Sequence, residues 1–273
     1  MSKIPTKISE KIFNKHVLPN LNLAKRGFVS KIPVFKIFNY ILKKLYTGVT
    51  WKSLTLDNED NKYVAYQAIY YHFRKWSNSK SFKNMFDNIV KENNGKYDLS
   101  VIHLDGTQTI AKKGGSKTAY GRKKYKTTNA LFMTDKNGLP ISLCKLNSGN
   151  HNDAFKLKIT MKSAFKDLKN LGLSLKNSFF NADKAFDVKD LRKLCFNRNI
   201  IPNIKHNIRN KKEKRGRNRI FNEEIYKTRF NIERTFAWMD KFKSIVFRYE
   251  IKDKYWYSFN IIAMFLINIK SLI

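Results

Sequence analysis

From about residue 97 onward the chain alternates short apolar runs with segments of helical period, and two of those runs lead straight into an aspartate. The run at 99–104 ends at Asp105, and the run at 178–182 ends at Asp183. Residues 123–134 and 140–147 alternate as paired strands around Asp135-Lys136-Asn137-Gly138, a hairpin signal. Helical period covers 152–171, 187–198 and a long stretch at 222–242, with a short strand at 200–204 and a final apolar helix over 254–272. Hairpin first, then helices and strands in turn, predicts an α/β fold: a mixed sheet flanked by helices.

The first section differs. Phe35, Phe38, Ile41, Leu42 and Leu45 follow the three-and-four spacing of an amphipathic helix that stops at Gly48, and Val64, Ile69, Phe73 and Trp76 continue the pattern. Asn93-Asn94-Gly95 is a turn signal and marks a boundary. The expectation is a small all-α domain over 1–96 and an α/β domain over 97–273. Helices joined by short turns, with Arg74 and Lys75 facing outward, suit a helix-turn-helix-like DNA reader; plain helical packing is the alternative.

Charge narrows the partners. Lys and Arg number 55 against 21 Asp and Glu, a formal net charge of +34. The excess is spread over both sections, and such a field opposes compaction unless a polyanion neutralises it. Nucleic acid is the polyanion that rewards distributed cations, through counterion release; a solvated basic surface or an anionic membrane face is the competing reading. Cys144 and Cys195 lack metal or disulfide spacing and read as small buried hydrophobes in a reducing compartment. The N-terminus has no signal-peptide core, and the apolar stretch at 257–269 is broken by Asn260 and Asn268. The chain reads as cytosolic, with no membrane partner.

A carboxylate among apolar residues is costly unless it is paired, caps a turn or binds metal. Asp105 and Asp183 each carry those readings, and functional groups collect at the carboxyl ends of strands in α/β sheets. On the 222–242 segment, at about 100° per residue, Tyr226, Arg229, Glu233, Ala237 and Asp240 share one stripe beside the apolar stripe of Ile225, Ile232, Phe236 and Met239. Glu233 therefore stands at the edge of a buried face, available to the sheet or to a surface ion pair with Arg229. Three converging carboxylates in a basic protein suit two hard divalent cations, Mg²⁺ or Mn²⁺, which activate the attacking oxygen and stabilise the leaving one.

These residues resemble the DDE transposases of small bacterial insertion sequences, specifically the insertion-sequence-5 family. The likeness runs through Val101-Ile102-His103-Leu104-Asp105-Gly106-Thr107, Tyr120-Gly121-Arg122-Lys123-Lys124-Tyr125, Ser148-Gly149-Asn150-His151-Asn152-Asp153, Asn181-Ala182-Asp183-Lys184 and Arg229-Phe230-Asn231-Ile232-Glu233-Arg234, in that order. It implies a ribonuclease-H-like catalytic fold with Asp105, Asp183 and Glu233 as catalytic, metal-binding triad. It also implies a bacterial, nucleoid-associated protein that joins element ends to target DNA as a dimer or higher assembly. The signature of related elements maps onto Tyr226, Arg229 and Glu233. It then departs: Asp240 stands where a lysine is expected, Lys241 follows, and Lys243 and Arg248 compete for the DNA contact. On a continuous helix Lys241 lies about 80° from Glu233. Eight of the fifteen residues from 205 to 219 are Lys or Arg, a DNA-clamping loop with Lys211, Lys212, Arg215 and Arg217, or a solvated charge run. Arg122, Lys123 and Lys124 are further candidates for DNA contact, and His151 and Asp153 either support the site or shape a turn. Two rivals stay open: a DNA-binding descendant that no longer cuts, and a nuclease without strand transfer.

Overall fold

The computed structural model describes residues 4–23, 30, 32–54, 65–121, 124–207 and 220–272. Compactness divides the chain at several points instead of one: the first unit takes Met1–Ile89, Ile110–Ser116 and Trp238–Ile273, the second Val90–Thr109 and Lys117–Ala237.

The first unit is mainly helical. Its helices include Val34–Thr47, Tyr66–Asn78, Ser81–Glu92 as far as Ile89, and the chain-terminal Asp253–Leu272. The Val34–Thr47 helix buries Phe38, Ile41 and Leu45, as its spacing predicts, and stops at Gly48, whose left-handed φ of 72° lets its N–H reach the Lys44 carbonyl. Aromatic rings knit the core: Phe73 stacks on Phe259 at 4.6 Å and lies 5.9 Å from Phe82. The terminal helix buries Trp256, Phe259, Ile262, Phe265 and Leu266, so it is apolar around most of its circumference, as a helix enclosed by its neighbours must be. Among the described residues, no helix is long and apolar enough to cross a membrane.

The second unit holds most of a seven-stranded sheet. Its strands are β1 (Val101–Ala111), β2 (Ala119–Tyr120), β3 (Lys126–Thr134), β4 (Pro140–Ser148), β5 (Phe179–Ala182) and β6 (Ile201–Ile204); the short β7 (Phe247–Arg248) pairs with the last two residues of β1 inside the first unit. The order runs β2-β3-β1-β5-β6, with β4 on β3. β1, β5 and β6 are parallel, and β3 and β4 form the expected antiparallel hairpin, bulged at two points. This is the ribonuclease-H-like mixed sheet flanked by helices, with a helical N-terminal region before it.

Three local expectations change. β1 does not stop at Asp105; it continues to Ala111, its last two residues pairing with β7, and β-branched Thr107, Thr109 and Ile110 suit the extended chain. The helix expected at 152–171 starts only at Leu157, since Lys156 sits at φ 52° and the residues before it form turns. The expected 222–242 helix is two helices, Glu223–Lys227 and Phe230–Met239. Thr228 caps the first, its hydroxyl donating to the Ile225 carbonyl at 2.7 Å, the competition with backbone that Thr offers. The second ends at Met239, so the helical angle drawn from Glu233 to Lys241 has no helix to run along.

Candidate active site

Register places the two aspartates side by side. β1 and β5 pair His103 with Asn181 and Leu104 with Ala182, so the next step along both strands is Asp105 and Asp183. Parallel strands lie about 4.8 Å apart, and in-register side chains share a face. The preceding pair verifies the face: His103 Nδ1 and Asn181 Nδ2 lie 3.4 Å apart, both residues fully buried. Asp183 stays extended after β5 ends, with φ −65° and ψ 160°, and its carboxyl accepts from the Lys184 N–H at 2.6 Å. It caps a 3-10 turn and still faces the site.

Glu233 arrives from the Phe230–Met239 helix, which is fastened to the β3–β4 turn. Asn231, Arg234 and Thr235 donate to the carbonyls of Lys136, Asn137 and Gly138 at 2.8, 2.5 and 2.5 Å, and Phe236 packs edge-on to Phe132 of β3. Arg229, in the break between the two helices, then joins the acids. Its guanidinium donates to Asp105 Oδ2 at 2.6 Å and to Glu233 Oε1 at 2.9 Å. The Tyr226 hydroxyl donates to Asp183 Oδ1 at 3.4 Å. Two residues one turn apart thus connect all three carboxylates.

A polar ladder missed in the sequence sets those two residues in place. The side-chain amide of Asn203 in β6 donates to Asn181 Oδ1 at 3.4 Å and to the Asn222 backbone carbonyl at 3.0 Å, while its Oδ1 accepts from the Asn222 N–H at 2.7 Å. Asn181 donates to the Ile225 carbonyl at 2.8 Å. Asn222 caps the Glu223–Lys227 helix through the Ile225 N–H. The signal was present, since a fully buried Asn interrupts each of the apolar strands β5 and β6; only register reveals that they form one row.

Burial pushes the Asp105 carboxyl above the usual carboxylate range, against the pull of Arg229 and of the Gly106 N–H, and the Asp153 charge pushes the same way. Asp153 lies close because residue 106 is glycine: a Cβ there would meet Asp153 Oδ1 at 2.6 Å. Asn129 of β3 donates to Asp153. Burial also holds His103 neutral, its pKa drawn down to about 4.

The other candidates fall elsewhere. His151 stacks on Phe155 at 3.6 Å and is half-buried. Lys124 is exposed in a bend before β3. Arg74 is exposed and Lys75 half-buried, while Lys241 and Lys243 are exposed beyond the Phe230–Met239 helix; all four belong to the first unit. Arg248 is fully buried and spends its guanidinium on the carbonyls of Ser116, Glu250 and Ile251, which removes it as a DNA contact. Arg122, Lys123, Lys211, Lys212, Arg215 and Arg217 lie outside the described residues.

A family model described as the transposase DDE domain matches residues 96–266, well over half of the chain. The chain belongs to the DDE transposase family. One solved structure, the Mos1 transposase paired-end complex with left transposon end, is similar at 12% identity and a TM-score of 0.29, over 70% of this chain and 65% of that one. The chain thus spans just under two thirds of that transposase. No curated protein matches the sequence.

Asp105, Asp183 and Glu233 offer carboxylate oxygens, the donor type that a hard divalent cation takes. Among the described residues no three such groups already stand within reach of one ion. The guanidinium of Arg229 supplies the positive charge between Asp105 and Glu233 instead.

Proposed function

We propose that this DDE transposase cleaves DNA at the ends of a small insertion sequence of the insertion-sequence-5 type and joins the freed 3′-OH to target DNA. Asp105, Asp183 and Glu233 would hold two Mg²⁺ or Mn²⁺ ions, which supply Lewis-acid activation of the attacking and leaving oxygens when bound. The observation that carries this reading is the convergence of three acids from distant segments on one guanidinium and one phenol. Arg229 holds Asp105 and Glu233 to a common centre, and its release toward a DNA phosphate would free both for metal. Tyr226 orients Asp183. Asp153, held by Asn129 beside Gly106, keeps negative charge next to Asp105. His151 shapes the loop that carries Asp153.

Residues 1–96 are proposed to hold the element's inverted repeats, with Arg74 and Lys75 at the DNA, and 97–273 to carry the chemistry. Lys124, Lys241 and Lys243 are proposed phosphate contacts, with the basic segment around Lys211, Lys212, Arg215 and Arg217 and with Arg122 and Lys123. Two ends must be brought together, so the working form is a dimer or larger, acting on DNA in the bacterial cytosol.

One observation favours a second reading. The Arg229 guanidinium between Asp105 and Glu233 satisfies both acids without metal, as it would in a DNA-binding descendant that no longer cuts. Cleavage of a donor plasmid carrying the element's ends, with Mg²⁺ or Mn²⁺, separates the two. Nicking by the native chain and its loss in Asp105→Asn support the enzyme, and a joined donor–target product distinguishes a transposase from a plain nuclease. Equal behaviour of the two proteins overturns the proposal.

A further inference from the structure

The first unit contains an open cavity of about 770 Å³, formed wholly from its own residues. Aromatic side chains make up much of its lining: Trp51, Tyr70, Tyr249 and Tyr255. Two groups of opposite charge share it. Lys44 is 4% exposed, and its ammonium donates to Ser244 Oγ at 3.1 Å, leaving two further N–H donors. Glu250 brings a half-buried carboxyl with no ion-pair contact among the described residues. Burial pushes that carboxyl above its usual range, against the pull of Lys44, the Trp51 side chain, Lys113 and Arg248. Exposed Arg74, Lys113 and Lys252 complete the lining.

Arg248 builds this site. Its guanidinium binds the carbonyls of Glu250 and Ile251 at 2.9 and 3.0 Å and that of Ser116 at 2.7 Å, which fixes the turn that carries Glu250. Such an investment of a fully buried arginine in one short turn fits a turn whose side chain has to be aimed.

Aromatic walls take flat π-faces, and every nucleobase has one. The polar groups discriminate further. A carboxylate offers two acceptors and the ammonium offers donors. Guanine presents two adjacent N–H groups, at N1 and N2, next to the O6 acceptor; thymine, cytosine and adenine each present a single N–H position on that edge. We propose that the cavity receives one unpaired guanine, with its N1–H and N2–H on Glu250, its O6 toward Lys44, its ring against the aromatic wall, and its phosphates on Arg74, Lys113 and Lys252. The base comes from DNA or from a free nucleotide. The first source rests on the DNA-binding reading above; the second does not.

Binding of the full-length chain is measured for labelled duplexes that are identical except for one unpaired G, A, C or T, for the fully paired duplex, and for free dGMP through tryptophan fluorescence. The unpaired-G duplex binds at least about 10-fold more tightly than the paired duplex or the unpaired-T duplex, the size expected for one stacked and bonded base. Glu250→Gln abolishes the preference for G and leaves paired-duplex affinity unchanged. The exposed Tyr249→Ala weakens binding of every unpaired base and serves if Trp51→Phe fails to fold. Equal affinity for all duplexes, together with no response to dGMP, overturns the proposal, as does a G preference that survives Glu250→Gln. If no duplex binds at low salt the DNA reading fails on its own, and saturable quenching by dGMP that Glu250→Gln removes then assigns the cavity to a free guanine nucleotide.

Discussion

Two carboxylate–guanidinium pairs of the second unit, Asp187–Arg192 and Asp105–Arg229, are opposite in character. Asp187 and Arg192 meet at 2.8 Å with side chains 4% and 10% exposed; Asp105 and Arg229 meet at 2.6 Å with side chains 19% and 22% exposed. Around the first pair every bond closes. Arg192 also donates to the Pro202 and Ile204 carbonyls, and Asp187 accepts from His206 and from the Asn207 N–H. Burial alone would raise the Asp187 carboxyl, but the Asn207 N–H, Arg192 and His206 outweigh it and hold the group well below the usual range. Around the second pair the balance is reversed. Burial wins, Asp153 adds repulsion, and Arg229 is divided between two acids. A structural ion pair is saturated. On the function proposed above, the second pair is kept for chemistry, its arginine shared between two acids.

Four expected outcomes sharpen or break that contrast. The largest is in activity: Asp105→Asn lowers donor-end cleavage by roughly 10³-fold, the scale of removing one preorganised electrostatic group, while Tm moves little. Retained cleavage would erase the distinction between the two pairs. Next comes stability. Arg192→Ala strands a buried carboxylate and costs about 3–5 kcal/mol in denaturant unfolding, whereas Arg229→Ala, at a wetter pair, costs about 1 kcal/mol or less. Similar losses for both would show the pairs to be alike. Asn203→Ala breaks the row that seats Tyr226 and Arg229 and costs about 1–3 kcal/mol; it should also slow cleavage, because Asn222 loses its anchor. Unfolding together with single-turnover cleavage reads both.

The smallest effect is in pH. Asp187 has a depressed folded pKa, so its stabilisation is present above the unfolded value near ~3.9 and is lost as pH falls through the depressed one. Asp135 behaves oppositely. Burial pushes it up to about 6, against N–H bonds from Leu139, Asp98 and Asn137, so its contribution is complete below the ordinary aspartate pKa and is lost as pH rises through about 6. Tm followed across acid pH should lose its rising component in Asp187→Asn and its falling component in Asp135→Asn. Unchanged profiles would refute both assignments.

Much of this arrangement was legible in residue order. The β3–β4 hairpin, the strand leading to Asp183, the helix ending at Gly48 and the apolar terminal helix all follow from period, turn residues and caps, which act over a few neighbours. What escaped was set at longer range. The continuation of β1 past Asp105 depends on a partner strand. The break before Arg229 depends on a hydroxyl choosing a carbonyl over solvent. Arg248 looked like any other surface cation until the carbonyls it serves were brought around it.

Sequence by itself determined the alternation of strands and helices and the surplus of positive charge, because side-chain period and charge are properties of the unfolded string. Tertiary structure decided which acids share an arginine and which buried asparagines hold the helix that precedes it. Those depend on strand register, and register is fixed only when a whole face is buried at once.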